Sequence, residues 1–168
     1  GRIIAENSTF RNNNISIYLE KEKLNSIPLS HNRLIVDNCI FETNNRLYEN
    51  IHIRKSDDNF TAFSHIKLEN SNRIQLRNNQ FLCNTEVFQP HERPIGIFSF
   101  NSSFITNYLY PNVFSGLKEG ILATHSGTPD YIKIDGMEFN DCIHSLVLEG
   151  TNYTVVQRSQ FNIPPSSN

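Results

Sequence analysis

Glycine and proline are scarce in this 168-residue chain, at seven each, tryptophan is absent and methionine occurs once. So few glycines leave no Gly-rich loop to cradle a phosphate, and no nucleophile elbow of the Gly-x-Ser-x-Gly type is present. Cysteine is rare as well. Cys39, Cys83 and Cys142 are odd in number and far apart, which excludes a fully paired disulfide framework and fits no zinc spacing, so they read as buried structural thiols. No apolar run approaches the roughly 18 residues of a membrane-spanning helix, and Gly1 to Phe10 lacks the character of a signal peptide, so membrane insertion is not expected. An excess of one charge is missing too. With 15 basic and 17 acidic residues and a net charge of -2, the chain has no field to hold nucleic acid, which is not expected as a partner.

What the chain has in abundance is asparagine, 23 residues, together with 12 phenylalanines. Asparagine tolerates left-handed backbone and caps its own turns, so this composition implies many tight corners. Length alone fits one domain spanning residues 1–168, large enough to bury a core.

The organising stretch is His65 to Phe81, HIKLENSNRIQLRNNQF, which recurs without a gap as SLVLEGTNYTVVQRSQF from Ser145 to Phe161. Apolar residues two apart, broken by Asn/Ser/Gly corners, describe short strands in a coil stacked on itself. Taking Phe as the phase marker, units end at Phe10, Phe41, Phe81, Phe114, Phe139 and Phe161, with a shortest separation of 22 residues. Seven and five residues before each Phe stand inward pairs such as Leu34 and Val36, Ile74 and Leu76, and Ile132 and Ile134. Ile3 and Ala5, and Thr154 and Val156, complete the series, while the Phe114 unit fits it worst and offers Asn107 and Leu109. After the Phe a second strand carries Ile17 and Leu19, Ile66 and Leu68, Ile97 and Ser99, Ile121 and Ala123, and Leu146 and Leu148. Longer connections at residues 21–32, 45–64 and 84–94 are insertions between strands.

Asn7, Asn38 and Asn78 each precede a Phe by three residues, which suits a column of asparagines stacked at one corner. On these residues the chain resembles the right-handed parallel β-helix, or pectin-lyase-like, superfamily. The resemblance implies an all-β fold, a right-handed parallel β-helix solenoid of about five to six coils. Neither end shows a terminal cap in the sequence, so an uncapped interior piece of a longer protein is expected, with further coils of the parent as neighbours. Asn-rich, Phe-marked coils also resemble those of large surface proteins of Bacteroidota, some exported by the type IX route, which implies a secreted or cell-surface location.

β-Helix enzymes of that superfamily act on polysaccharides with clustered Asp, Arg, Lys or His on one outward face. Here the outward rows after the Phe read Tyr18, Lys67, Phe98, Leu122, Val147 and Glu20, Glu69, Phe100, Thr124, Glu149. Glu20 and Glu69 would stack on neighbouring coils as a glycosidase-like carboxylate pair does, but no Arg, His or Asp joins them, and solvated or Lys67-paired surface glutamates are the favoured reading. No catalytic residue is assigned. Tyr18, Lys67, Glu69, Phe98 and Phe100 are the candidate binding residues, because exposed aromatics in a row suit sugar rings or a partner protein. The competing expectation is that an insertion folds over this face and buries it.

The outward row before the Phe reads Glu6, Asp37, Arg77, Tyr110, Asp135 and Gln157. Glu6 above Asp37 would repel unless Arg77, a cation such as Ca²⁺ or protonation relieves it, and a simple Glu/Asp/Arg surface ladder is favoured, so no cofactor is expected. The six histidines fall mostly at corners or in loops without paired ligand spacing, so no metal site is assigned. Lys55 to Asn59 reads as a solvated loop; the Asn-x-Ser/Thr triplets at Asn7, Asn14, Asn59, Asn101 and Asn152 would be glycosylation acceptors in a eukaryotic secreted protein, but an Asn-rich chain produces several by chance and Asn7 suits the ladder. The function expected is therefore a non-catalytic scaffold or binding surface for a polysaccharide or another surface protein. The alternative is a polysaccharide lyase or glycoside hydrolase with its catalytic coils partly outside the chain.

Overall fold

Alternation of apolar and polar side chains at period two is realised as short parallel strands in the computed structural model, which describes residues 2–20, 33–44, 63–71, 74–125, 131–150 and 154–155. In chain order the strands are β1 (Arg2–Glu6), β2 (Thr9–Arg11), β3 (Ile15–Glu20), β4 (Arg33–Asp37), β5 (Ile40–Thr43), β6 (Ser64–Glu69), β7 (Ile74–Arg77) and β8 (Gln80–Cys83). They continue as β9 (Ile95–Phe100), β10 (Phe104–Ile105), β11 (Asn112–Ser115), β12 (Glu119–His125), β13 (Tyr131–Ile132), β14 (Met137–Asn140), β15 (His144–Gly150) and β16 (Thr154–Val155). The one helical turn among the described residues is a 3₁₀ turn, Pro90–Glu92. No helix among them is long and apolar enough to cross a membrane.

The strands form three main parallel sheets, ordered β1-β4-β7-β10, β14-β11-β8-β5-β2 and β15-β12-β9-β6-β3, with β13 and β16 as a further two-stranded ladder. Consecutive strands visit the sheets in the same order, so every sheet neighbour comes from the next unit of the repeat. The chain is thus all-β with its strands stacked in register, an architecture compatible with a β-helix solenoid. Parallel pairing in register brings like residues together, and Phe41 pairs with Phe81, Phe81 with Phe114 and Phe114 with Phe139. The rings of Phe10, Phe41, Phe81, Phe114 and Phe139 form one stacked column, with successive centroids 4.9, 4.9, 4.6 and 5.0 Å apart. Phe161 lies outside the described residues. The column runs through one core cluster with Leu34, Val36, Ile66, Leu68, Ile74, Leu76, Ile97 and Ile121.

The pairs of the second strand keep their register throughout, since Ile17, Ile66, Ile97, Ile121 and Leu146 share one level and Leu19, Leu68, Ser99, Ala123 and Leu148 the other, although Leu148 on the last strand of the sheet is exposed. Two details of register differ from the sequence expectation. In the Phe114 unit the first strand is β10, where Phe104 pairs with Ile74, and the buried residues are Phe104 and Thr106 rather than Asn107 and Leu109. Asn107 to Pro111 instead leaves the ladder as a turn, closed by the Tyr110 amide on the Asn107 carbonyl and by the Leu109 amide on Asn107 Oδ1. At β16, Val155 rather than Thr154 stands level with Ile132. A slip of one residue exchanges the two faces of a strand. Ile3 keeps its register with Leu34 but is exposed, since among the described residues β1 pairs with β4 alone.

The corners explain the asparagines. Asn7, Asn38 and Asn78 all hold left-handed backbone, φ 50°, 52° and 52°, and Gly136 does the same at φ 64°. Asn38 Nδ2 donates to Asn7 Oδ1 at 2.7 Å and Asn78 Nδ2 to Asn38 Oδ1 at 3.1 Å, which is the expected exposed ladder. A second, buried ladder runs one residue later, where Asn112 Oδ1 accepts from the Asn79 amide and from Asn79 Nδ2, while Asn79 Oδ1 accepts from the Cys39 amide. Their side-chain amides donate to the carbonyls of Val36 and Leu76. These bonds satisfy backbone groups that the corner leaves without a strand partner. The other corners use Asn70 and Asn101, and Asn12 and Asp141, again left-handed. The insertion at 84–94 is present as a turn carrying Phe88 into the core. Residues 21–32 and 45–62 lie outside the described residues, and Ser64 already belongs to β6.

Candidate functional site

The outward rows of the third sheet come from strict alternation on β3, β6, β9, β12 and β15. Tyr18 pairs in register with Lys67, Lys67 with Phe98 and Phe98 with Leu122, while Glu20, Glu69, Phe100 and Thr124 make the row beside them. Ser99, between the two phenylalanines, is buried and bonds the Ser102 carbonyl, which sets Phe98 and Phe100 outward. The face is less open than the sequence suggested. Tyr18 is exposed, Phe98, Phe100 and Leu122 are half-buried, and Lys67 is only 8% exposed.

Lys67 is buried by its neighbours' aromatic rings, with its ammonium 5.1 Å from the Tyr18 ring centroid and 6.0 Å from that of Phe98. An ion pair to Glu69 Oε1 at 2.8 Å compensates the charge, and the stem of the lysine covers apolar surface. The Tyr18 hydroxyl lies 2.5 Å from Glu69 Oε2 and 3.0 Å from Glu20 Oε2. A phenol has one proton, so it donates to one carboxylate at a time and ties the two glutamates together. The bond to Glu69, with burial and the bond to Glu20 behind it, raises the Tyr18 pKa well above that of an ordinary phenol. Burial alone would raise that of Glu69, but the hydrogen bonds from Lys67 and Tyr18 and the lysine charge outweigh it and hold the carboxyl below its ordinary value.

These shifts decide what the cluster can do. A glycosidase pair needs one carboxyl kept protonated as the acid, and Glu69 is pushed the other way. A nucleophilic or basic tyrosine needs a lowered pKa, and Tyr18 is held as the neutral phenol. Tyr18, Lys67, Glu69 and Glu20 are therefore engaged with one another, the Phe98 ring lies beneath the Lys67 ammonium, and Phe100 is half-buried beside them. Of the two expectations for the glutamates, solvated or paired to Lys67, the pairing is the one present at Glu69, but the sequence reading missed the bond from Tyr18, which runs diagonally across the strands. Diagonal neighbours are within reach of a long side chain, and that rule applied to the two rows would have found it.

The first sheet carries the ion-paired ladder. Glu6 pairs in register with Asp37 and Asp37 with Arg77, whose guanidinium lies 2.7 Å from Asp37 Oδ2. Tyr110 does not continue this row, because it sits in the turn at Asn107 to Pro111, and Asp135 is not on the surface but 1% exposed. The turn packs against the next residue, Gly136. Gly136 packs so closely on Tyr108 that a Cβ there would overlap it, and Lys133 approaches Asp135 at 3.5 Å. Gln157 and the motif Lys55 to Asn59 lie outside the described residues. Among the described residues no group of three or more His, Cys, Asp or Glu is placed to hold a metal ion.

Of the histidines expected mostly at corners or in loops, His65, His125 and His144 lie in strands β6, β12 and β15. His65 is in β6, 1% exposed, with its ring 6.0 and 6.2 Å from those of Phe41 and Phe81. Its row is otherwise small, Ser16, Gly96, Gly120 and Ser145, because the strands there pass against the Phe column: a Cβ at Gly120 would lie 2.5 Å from the Phe139 ring. Burial pushes the imidazole pKa down to about 3, only partly opposed by a hydrogen bond to the Leu82 backbone. The three thiols are free, Cys39 and Cys83 buried and Cys142 half-buried. Compared with models of protein families, with curated proteins and with solved structures, the chain matches none.

Proposed function

We propose that the chain is a rigid, non-catalytic right-handed parallel β-helix of about five to six coils, in a secreted or cell-surface protein, whose third sheet serves as a binding surface for carbohydrate or a partner protein. The observation that carries this reading is the outward aromatic strip of Tyr18, Phe98 and Phe100, fixed on rigid strands around the Lys67–Glu69 pair. Contact surfaces favour such rigid aromatics because little conformational freedom is lost on binding. The resemblance to pectin-lyase-like proteins and to Bacteroidota surface proteins supports the location and the carbohydrate class. The scaffold role follows from the stacked Phe column and the asparagine ladders, which resist bending.

A second reading, a polysaccharide lyase or glycoside hydrolase, is favoured by one fact: Tyr18, Glu20, Lys67 and Glu69 bring four ionisable groups together on adjacent strands. It is the weaker reading because those groups are bonded to one another and Tyr18 is held protonated. Calorimetric titration of the whole chain with neutral, acidic and amino oligosaccharides tests the choice. Binding that Phe98→Ala weakens by about tenfold, with stability unchanged within about 0.5 kcal/mol, is the expected result. New reducing ends or unsaturated products would establish the enzyme instead, and a loss of several kcal/mol in Phe98→Ala would assign the residue to the core.

A further inference from the structure

Whatever the third sheet binds, we propose that the edge strand of the first sheet, β1, is an interface on which a second copy of the chain docks antiparallel, about a two-fold axis through Ile4. Among the described residues β1 pairs with β4 alone. The Asn7 amide donates to the Asp37 carbonyl on the β4 side, so by alternation the backbone groups of Arg2, Ile4 and Glu6 face the open side. An unpaired row of this kind is a template for another strand. It also carries exposed apolar residues, since Ile3 is 56% and Ile4 46% exposed, whereas Leu34 and Ile35, level with them on β4, are buried.

Charge decides which strand fits this edge. Glu6 is exposed and level with Asp37, while Arg77, the next residue of that row, is bonded to Asp37 at 2.7 Å. Glu6 therefore lies beside a like charge and has no ion pair among the described residues. Four residues earlier the strand carries Arg2. The sequence of β1, Arg-Ile-Ile-Ala-Glu, is thus complementary to itself when reversed. Two copies centred on Ile4 set Ile4 level with Ile4, Ile3 with Ala5, and each Glu6 with Arg2 of the other copy, where opposite charges face each other across the strands. Residues 2, 4 and 6 are also the ones whose backbone groups face the open side, so these pairs are the hydrogen-bonded pairs of an antiparallel ladder. Both copies use the same patch, and such an assembly closes at two.

The test is sedimentation equilibrium of the full chain over a range of concentrations. The expected result is a monomer–dimer equilibrium without larger species, weakened by salt. Ile4→Pro removes an amide hydrogen from the open side, a change that an edge strand tolerates, and Glu6→Arg sets like charges opposite each other. Each should raise the dimer Kd at least about tenfold. The double substitution Arg2→Glu, Glu6→Arg restores opposite charges across this antiparallel register, and should return the Kd to within about threefold of that of the unsubstituted chain. A chain that stays monomeric at every concentration would overturn the proposal. So would multimers that grow beyond two, which require a head-to-tail contact, and so would a dimer that the charge exchange fails to rescue, which must use another face.

Discussion

The imidazole of His65 lies 6.2 Å from the ring of Phe81, tilted by 46°, beside the Phe stack, with no hydrogen-bond partner among the described residues for its Nε2. Its pKa is pushed from an ordinary 6.5 down to about 3, so the fold requires the neutral ring. The unfolded chain takes up the proton first. The contribution of His65 is thus fully present above about pH 6.5 and falls as pH drops towards about 3, at about 1.4 kcal/mol per pH unit. Urea unfolding at several pH values should show this slope, and His65→Gln should flatten it. An unchanged slope in the variant would assign acid sensitivity to the carboxylates instead.

Phe81 and Phe10 occupy the same column but not the same environment, since Phe81 is fully buried and Phe10 half-buried at one end. Phe81→Ala should cost about 3–5 kcal/mol, because the strands on both sides are held in register and cannot close the cavity. Phe10→Ala should cost clearly less. Denaturant midpoints for the two variants, with equal m-values, check the order.

The two asparagine ladders should respond differently. Asn38 is exposed and left-handed, so Asn38→Gly keeps the backbone and should change stability by less than about 1 kcal/mol. Asn79→Ala strips buried partners from the Cys39 amide and the Val36 carbonyl, and each buried group left unmade costs about 1–3 kcal/mol. Comparable losses in the two variants would show that the inner ladder is not the structural one.

Thiol reactivity offers an independent check of the core. Burial pushes the Cys83 thiol up to about 12 and raises those of Cys39 and Cys142 as well, so little thiolate exists at neutral pH. In the native protein an aromatic disulfide reagent should label Cys142 first and the others slowly. Unfolding in urea should expose all three at once, and rapid native labelling of Cys83 would contradict its place in the core.

Gly120 provides a test by added volume. A methyl group there would meet the Phe139 ring and the Ser145 carbonyl, both in the next unit of the stack. Gly120→Ala should destabilise by about 1–3 kcal/mol through overpacking, whereas Phe139→Ala combined with it should recover part of the loss. A double-mutant cycle showing no coupling would deny the contact.

The strands, their inward residues and the Phe column were legible because each depends on a local period that stacking repeats. A parallel ladder in register places residue i of one unit on residue i of the next, so Phe41, Phe81 and Phe114 had to meet once their phase was read from the chain. Register failed where the period itself was broken. The five residues from Asn107 to Pro111 shifted the count, and only the pairing of Phe104 with Ile74 showed which residues enter the core.

The sequence by itself determined the rows of the candidate face, Tyr18 beside Lys67 and Phe98, since alternation and phase are properties of the chain alone. Tertiary structure decided what those side chains do. Whether Lys67 stands in water or between two rings depends on neighbours contributed by strands tens of residues apart, as do the proton that Tyr18 shares with Glu69 and Glu20 and the burial of His65 and Asp135. Charge and burial are set by what packs around a group in three dimensions, and no local period of the chain encodes that.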